Sequence, residues 1–163
     1  MKRNIRKIGL IIVLGLSITS CTKEVEVLEP NLSGVYKYKS VFVPVPMDLD
    51  KDGTYNSNLI LEKGKECVWD NTWQYQNEKV ILREGEKYCG EESQESNENG
   101  VIGSFNYVYD KASKTIKIIY EGGYSETLKN VKIGYTSDEK QTLSYELWDD
   151  NYQQEVTYYL ESF

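Results

Sequence analysis

The chain has 163 residues, of which 28% are charged and none is histidine, and its formal net charge is −7. The missing histidine excludes Ser-His-Asp and Cys-His nucleophilic sites and the usual histidine-containing zinc sites. The acidic balance argues against nucleic acid as a partner, because nucleic acids are bound through a basic face. Fourteen tyrosines and three tryptophans against only three prolines favour strands over helices.

The amino terminus has the pattern of an export signal. It begins with four basic residues, Lys2, Arg3, Arg6 and Lys7. An apolar run over 8–16 follows, and it is too short for a permanent transmembrane helix. The run leads into Ile-Thr-Ser-Cys at 18–21, which resembles the lipobox of bacterial lipoproteins. That resemblance implies cleavage before Cys21 and acylation of Cys21, with palmitate among the attached chains. An ordinary signal peptide with an incidental cysteine is the alternative.

These features divide the chain into a signal peptide over 1–20, a lipidated tether over 21–31 and a folded domain over 32–163. Loss of the four basic leader residues takes the net charge from −7 to −11, which is compatible with cation binding. We expect the lipid to attach the domain to the outer membrane, on its periplasmic or its surface side.

The folded domain is predicted to be all-β. In the first strand, alternation places Tyr36, Tyr38 and Phe42 on one face, and Lys37 and Lys39 on the other. Strand-like segments cover 34–43, 67–75, 78–83, 101–109, 115–120, 125–135, 141–149 and 155–163. Short turns between them predict an antiparallel, eight-stranded up-and-down meander that forms a barrel or a strongly curled sheet. The acidic segment 90–100 is expected to be an exposed, mobile loop.

One loop carries the residues of a cation site. Asp48, Asp50, Asp52 and Gly53 form a DxDxDG pattern, in which alternating carboxylates direct hard oxygens at one centre, as calcium requires. The backbone carbonyl of Thr54 would add a ligand. Leu59 stands where an EF-hand has its closing glutamate, and we expect Glu62 to complete a longer loop. The predicted ion is a weakly bound structural calcium; the alternative is a surface turn without an ion.

Two cysteines remain once Cys21 is acylated. In an exported chain, Cys67 and Cys89 predict one disulfide, and two reduced buried thiols are the alternative.

The segment 32–37, with sequence Leu-Ser-Gly-Val-Tyr-Lys after the lipobox, resembles the start of lipocalin-like domains in Gram-negative envelope lipoproteins. Tyr36 stands where that family usually has tryptophan. The DxDxDG loop followed by the cysteine pair is similar to a subset of these proteins. The resemblance implies a lipocalin-like barrel and supports an ion in the loop, but it implies no activity, because a fold does not determine a function.

Three functions are compared on these grounds. The favoured one is a non-catalytic binding or interaction lipoprotein whose barrel holds a small hydrophobic or glycan ligand. Six tyrosines would line its mouth, although they would equally serve as core: Tyr36, Tyr38, Tyr107, Tyr120, Tyr145 and Tyr158. The alternative is a surface adhesion protein or an accessory subunit with an envelope protein partner. A glycoside hydrolase with paired carboxylates is a weaker hypothesis, and we do not expect an enzyme.

Overall fold

The computed structural model describes residues 31–87 and 96–163, which form a closed antiparallel barrel. The strands are β1 Gly34–Met47, β2 Asn56–Asn58, β3 Thr72–Gln76, β4 Lys79–Arg83, β5 Val101–Asp110, β6 Thr115–Ile119, β7 Ser125–Tyr135, β8 Gln141–Asp149 and β9 Gln154–Ser162. Between β2 and β3 lie a 3-10 helix, Leu59–Leu61, and a short helix α1, Glu66–Trp69. Among the described residues, neither helix has the length or hydropathy to cross a membrane.

Eight strands close the barrel in up-and-down order, which confirms the predicted fold class. Each strand from β3 to β9 pairs with its neighbour in sequence. β1 pairs with β3 along one edge and with β9 along the other, so no open edge remains in the ring. The short β2 lies outside this ring and pairs with the C-terminal half of β1.

The barrel has two unlike ends. One end, here called the turn end, carries the short connections 77–78, 111–114 and 136–140. Asn77 and Glu78 there both have positive φ, 49° and 62°, as a two-residue type I′ hairpin turn requires. The other end, here called the loop end, carries the connections 48–71, 120–124 and 150–153, together with 84–87 and 96–100. The predicted segment 90–100 lies largely outside the described residues.

A bulge in β1 corrects the predicted orientation of Phe42. Tyr38 pairs with Leu160 but Ser40 pairs with Tyr159, so β1 has one extra residue at this point. An extra residue reverses the alternation of side chains, since the side-chain period of a strand is two. Phe42 is therefore 43% exposed on the outer wall, whereas Val41 is fully buried.

The predicted strand over 67–75 is wrong in its first half. Residues 66–69 form α1, and β3 begins only at Thr72. Trp69 and Trp73 both pack against the ring of Tyr38, one from α1 and the other from β3. The helical turn lets the chain enter β3 from the loop end.

Candidate functional site

The predicted cation loop brings three carboxylates together. Ligand oxygens of Asp48, Asp50 and Glu62 all lie within 4.8 Å of one another. Asp48 and Asp50 follow directly after β1, and Glu62 follows the 3-10 helix. Asp52 lies outside this group, with its Oδ1 accepting a hydrogen bond from the Thr54 amide at 2.8 Å. The three grouped residues are hard oxygen donors of the kind that calcium binds.

Hydrogen bonds from backbone amides to the Asp48 carboxylate hold the loop in a tight turn. Asp48 accepts from the amide of Asp52 through Oδ1 and from the amide of Gly53 through Oδ2, both at 3.0 Å. Lys51 and Gly53 have positive φ, 60° and 88°, which is the reason a glycine is favourable here. The hydrogen bonds from Thr54 lower the pKa of the Asp52 carboxyl, so Asp52 stays ionised in mildly acidic solution.

Glu62 is the anchor of the loop. Its side chain is 1% exposed, and it is the only buried charged residue in the described part of the chain. Oε2 accepts from the amides of Leu49 and Asp50 at 2.7 and 3.2 Å, and Oε1 accepts from Nδ2 of Asn56 at 2.6 Å. These bonds compensate the cost of burying the carboxylate and fix it beside Asp48 and Asp50.

The six predicted tyrosines belong to the barrel core or pack against it. Tyr145 stacks on Tyr158 with ring centroids 5.1 Å apart, and Tyr158 lies 5.8 Å from Tyr38. Tyr75, which the sequence analysis missed, is 1% exposed and contacts Tyr36 and Tyr107 edge to face. The signal that could have found it is its position two residues after Trp73, on the same face of β3.

Most of these hydroxyl groups have protein partners. Tyr107 donates to the carbonyl of Leu32 at 3.2 Å, Tyr120 to Glu126 at 2.9 Å and Tyr158 to Asp149 at 2.8 Å. Burial raises the pKa of every one of the interior tyrosines, because the charged phenolate is poorly solvated there. The tyrosines thus build a hydrogen-bonded aromatic core.

An apolar groove opens beside the cation loop, at the loop end of the barrel. Its volume is about 400 Å³. The lining residues are Val45, Pro46, Met47, Asp48, Tyr55, Tyr152, Gln153 and Gln154. Val45 and Tyr55 are 65% and 70% exposed, so apolar surface faces solvent here. The sequence analysis missed this groove, because Val45 and Tyr152 are more than 100 residues apart in the chain.

Cys67 lies in α1, while Cys89 lies outside the described residues, as does Cys21. The segment that follows β4 in sequence returns to the end of α1. The amide of Lys87 donates to Asp70 at 2.8 Å, and the amide of Gly85 donates to Asn71 at 3.0 Å. Residue 87 is thereby held next to the segment that carries Cys67.

No protein-family model, no curated protein and no solved structure matches this chain.

Proposed function

We propose that this chain is a non-catalytic binding or interaction domain, of the lipocalin-like type, held at the outer membrane by a lipid on Cys21. The observation that carries the binding role is the exposed apolar groove at the loop end, lined by Val45, Met47, Tyr55 and Tyr152. Small-molecule and peptide sites are typically concave and mostly apolar. The interior tyrosines, which the sequence analysis considered for this role, serve as core.

The position of the first described residues supports a lipid anchor at the end of the barrel opposite the groove. Leu32 is 3% exposed and Gln141 Nε2 donates to the carbonyl of Asn31 at 2.9 Å, so the described chain begins at the turn end. A tether over 21–31 would therefore leave the barrel on the side away from the groove. The groove and the long loops would then face away from the membrane.

A calcium ion bound by Asp48, Asp50 and Glu62 is part of the proposal. Its support is the convergence of three carboxylates around a loop already ordered by hydrogen bonds. Three carboxylates this close repel one another, and a divalent cation would relieve that repulsion. The role would be structural, since Asp48 also lines the groove and its position shapes the groove wall.

A disulfide between Cys67 and Cys89 also belongs to the proposal. Residue 87 is held beside Asp70, three residues after Cys67, and two further residues span at most about 7 Å. A disulfide to Cys67 would need to bridge no more than that span from residue 87.

The alternative, a surface adhesion protein or an accessory subunit, is favoured by one observation. Phe42 and Tyr159 form an edge-to-face pair on the outer wall, with ring centroids 5.8 Å apart and each 43% exposed. Such a pair suits a protein partner, since aromatic residues are enriched at interfaces.

The test of the anchored binding module is metabolic labelling with an alkyne-tagged fatty acid in a Gram-negative host. The wild-type chain should carry the label and fractionate with the outer membrane, whereas Cys21→Ser should carry none. Cys67→Ser is the matched control and should still be labelled. An unlabelled wild-type chain in the cytosol would overturn the anchor.

A further inference from the structure

We propose that the barrel interior at the loop end is a second binding site, which takes a small organic ammonium ion. Its residues are not those that line the groove, so the inference goes beyond the binding role proposed above. It depends neither on the lipid nor on calcium. Three features support it: accessible space at one end of the interior, two inward-facing carboxylates, and an aromatic wall with unused hydrogen-bond donors.

The interior is packed less tightly toward the loop end than elsewhere. Tyr75, Leu143 and Leu160 are at most 2% exposed. Other side chains of the interior face are only partly buried, namely Trp73, Phe105, Tyr120 and Leu147. Tyr38 is also only partly buried, although it pairs with Leu160 and three aromatic rings surround it. Accessible surface on a side chain at this depth indicates space inside the barrel.

Two carboxylates face this space. Glu126 on β7 is directly opposite Ile118, which is buried in the core, and opposed residues of paired strands lie on the same face of a sheet. Its Oε2 accepts a hydrogen bond from the Tyr120 hydroxyl at 2.9 Å. Asp149 at the end of β8 also points inward, because its Oδ2 accepts from the hydroxyl of the buried Tyr158 at 2.8 Å.

The two carboxylate charges act on one part of the interior. Burial raises the pKa of Tyr38, and the charges of Glu126 and Asp149 raise it further, so both carboxylates lie near the same hydroxyl. Among the inward-facing residues of the described strands, none is lysine or arginine. A cleft that is lined by one sign of charge and has walls of low dielectric constant attracts the opposite charge. The interior at the loop end is therefore suited to a cation.

The wall favours an organic ammonium ion over a metal ion. Calcium takes about six to eight oxygen ligands, and two carboxylates that already accept tyrosine hydroxyl groups do not supply that number. Aromatic rings dominate the surroundings instead, because Tyr38 packs against Trp69, Trp73 and Tyr158. Aromatic faces attract cations, and alkyl groups on an ammonium nitrogen pack well against them.

Two donors in this wall have no hydrogen-bond partner among the described residues. They are the indole N–H groups of Trp69 and Trp73, which are both buried. Trp69 as a whole is only 8% exposed. A buried donor without a partner is destabilising, and bound water or a ligand is a common reason for its presence. An ammonium ion that also carries an oxygen atom would offer such a donor an acceptor.

The experiment is isothermal titration calorimetry of choline into the full chain, held in uncharged maltoside micelles, with empty micelles as the blank. The control ligand is the neutral isostere of choline, in which a carbon atom replaces the quaternary nitrogen. It has the same shape and the same hydroxyl group but no charge. A second readout is tryptophan fluorescence: the chain has three tryptophans, so Trp148→Phe leaves only Trp69 and Trp73 to report on the interior.

We expect saturable binding of choline that changes the fluorescence of the Trp148→Phe chain, and binding of the isostere that is about ten-fold weaker or less. Glu126→Gln and Asp149→Asn should each weaken choline binding by about five-fold or more, since the amide keeps an acceptor for the tyrosine hydroxyl but loses the charge. Glu155→Gln is the matched control and should change it by less than about two-fold, because Glu155 is exposed and lies 4.0 Å from Lys129.

Four results would overturn the proposal. Equal binding of the isostere would show a purely apolar space, and an equal loss in Glu155→Gln would show general charge attraction. Displacement of choline by calcium would show a site for inorganic cations. The fourth result is the absence of binding at about 10 mM choline, a concentration that would reveal even weak affinity. Because the comparison of the two ligands uses the unmodified chain, it stands even if a variant does not fold.

Discussion

Tyr36 and Gln141 connect the first and eighth strands across the turn end of the barrel. The hydroxyl of Tyr36 donates to Oε1 of Gln141 at 2.6 Å, and it also lies 3.0 Å from the carbonyl oxygen of Ser33. Gln141 in turn donates through Nε2 to the carbonyl of Asn31. One buried hydroxyl therefore fixes both the barrel wall and the chain that leads into it.

Removing that hydroxyl should destabilise the domain. Tyr36→Phe leaves Gln141 Oε1 without its donor in a partly buried position, so the free energy of unfolding should fall by about 1–3 kcal/mol. Urea denaturation followed by tryptophan fluorescence measures the difference. Tyr159→Phe removes a hydroxyl on the exposed outer wall and should change stability by less than about 0.5 kcal/mol. Equal losses in the two variants would contradict the role assigned to Tyr36.

Strong alkali should unfold the barrel. Burial raises the pKa of Tyr38, Tyr75, Tyr145 and Tyr158 above the ordinary value of about 10. Above that pH the unfolded chain releases tyrosine protons that the folded chain still holds. Stability is therefore fully present below about pH 10 and falls as the pH rises further.

The measurement is a pH titration of tyrosinate absorbance together with near-ultraviolet circular dichroism. The interior tyrosines should ionise only as the tertiary signal disappears. Ionisation of all tyrosines near pH 10 in a barrel that remains folded would contradict the buried aromatic core.

Calcium should raise the stability of the domain, and chelation should lower it. With a Kd on the order of 10⁻⁴ to 10⁻³ M, about 10 mM calcium stabilises the folded state by about 1.4–2.7 kcal/mol. Thermal unfolding with calcium and with EDTA measures the effect. Asp50→Ala should abolish the difference, because Asp50 supplies one of the three grouped carboxylates. Asp138→Ala at the turn end is the control and should keep the full response to calcium. If calcium does not change the melting temperature of the wild-type domain, the proposed calcium site is wrong.

The cysteine pair should resist alkylation until it is reduced. In the unfolded, unreduced chain we expect no label on Cys67 or Cys89, and after reduction we expect label on both. Mass spectrometry of the peptides reads out each residue. Replacing both by serine should lower the free energy of unfolding by about 3 kcal/mol. The reason is that a disulfide closing a loop of this length reduces the entropy of the unfolded chain. Full labelling without a reductant would disprove the pairing.

Local sequence patterns predicted most of the barrel wall because each strand there alternates regularly between short turns. The bounds of β7 and β8 agree residue for residue with the predicted segments 125–135 and 141–149. The errors occur where tertiary contacts override a local pattern. The bulge before Ser40 moves Phe42 to the outside, and α1 holds Trp69 against Tyr38.

The grouped carboxylates of the candidate cation loop, Glu62 included, were predicted from their spacing, but the way in which Glu62 reaches the loop required the fold. Asp48 and Asp50 stand in a recognisable pattern, whereas Glu62 reaches them because the 3-10 helix turns the chain back. The groove had no local signature at all, since Val45 and Gln154 meet only once the first and last strands are paired. Contacts of such separation cannot be read from a local pattern of residues.

The pairing of β1 with β9 also sets the order of events during folding. Because β1 pairs with β9, the ring cannot close until residues up to Ser162 are available. Contacts between distant parts of a chain form slowly, because the entropy of closing the intervening loop must be overcome first. In a partly synthesised chain the ring would therefore remain open. That delay is favourable for any polypeptide that is threaded through a translocation channel before it folds.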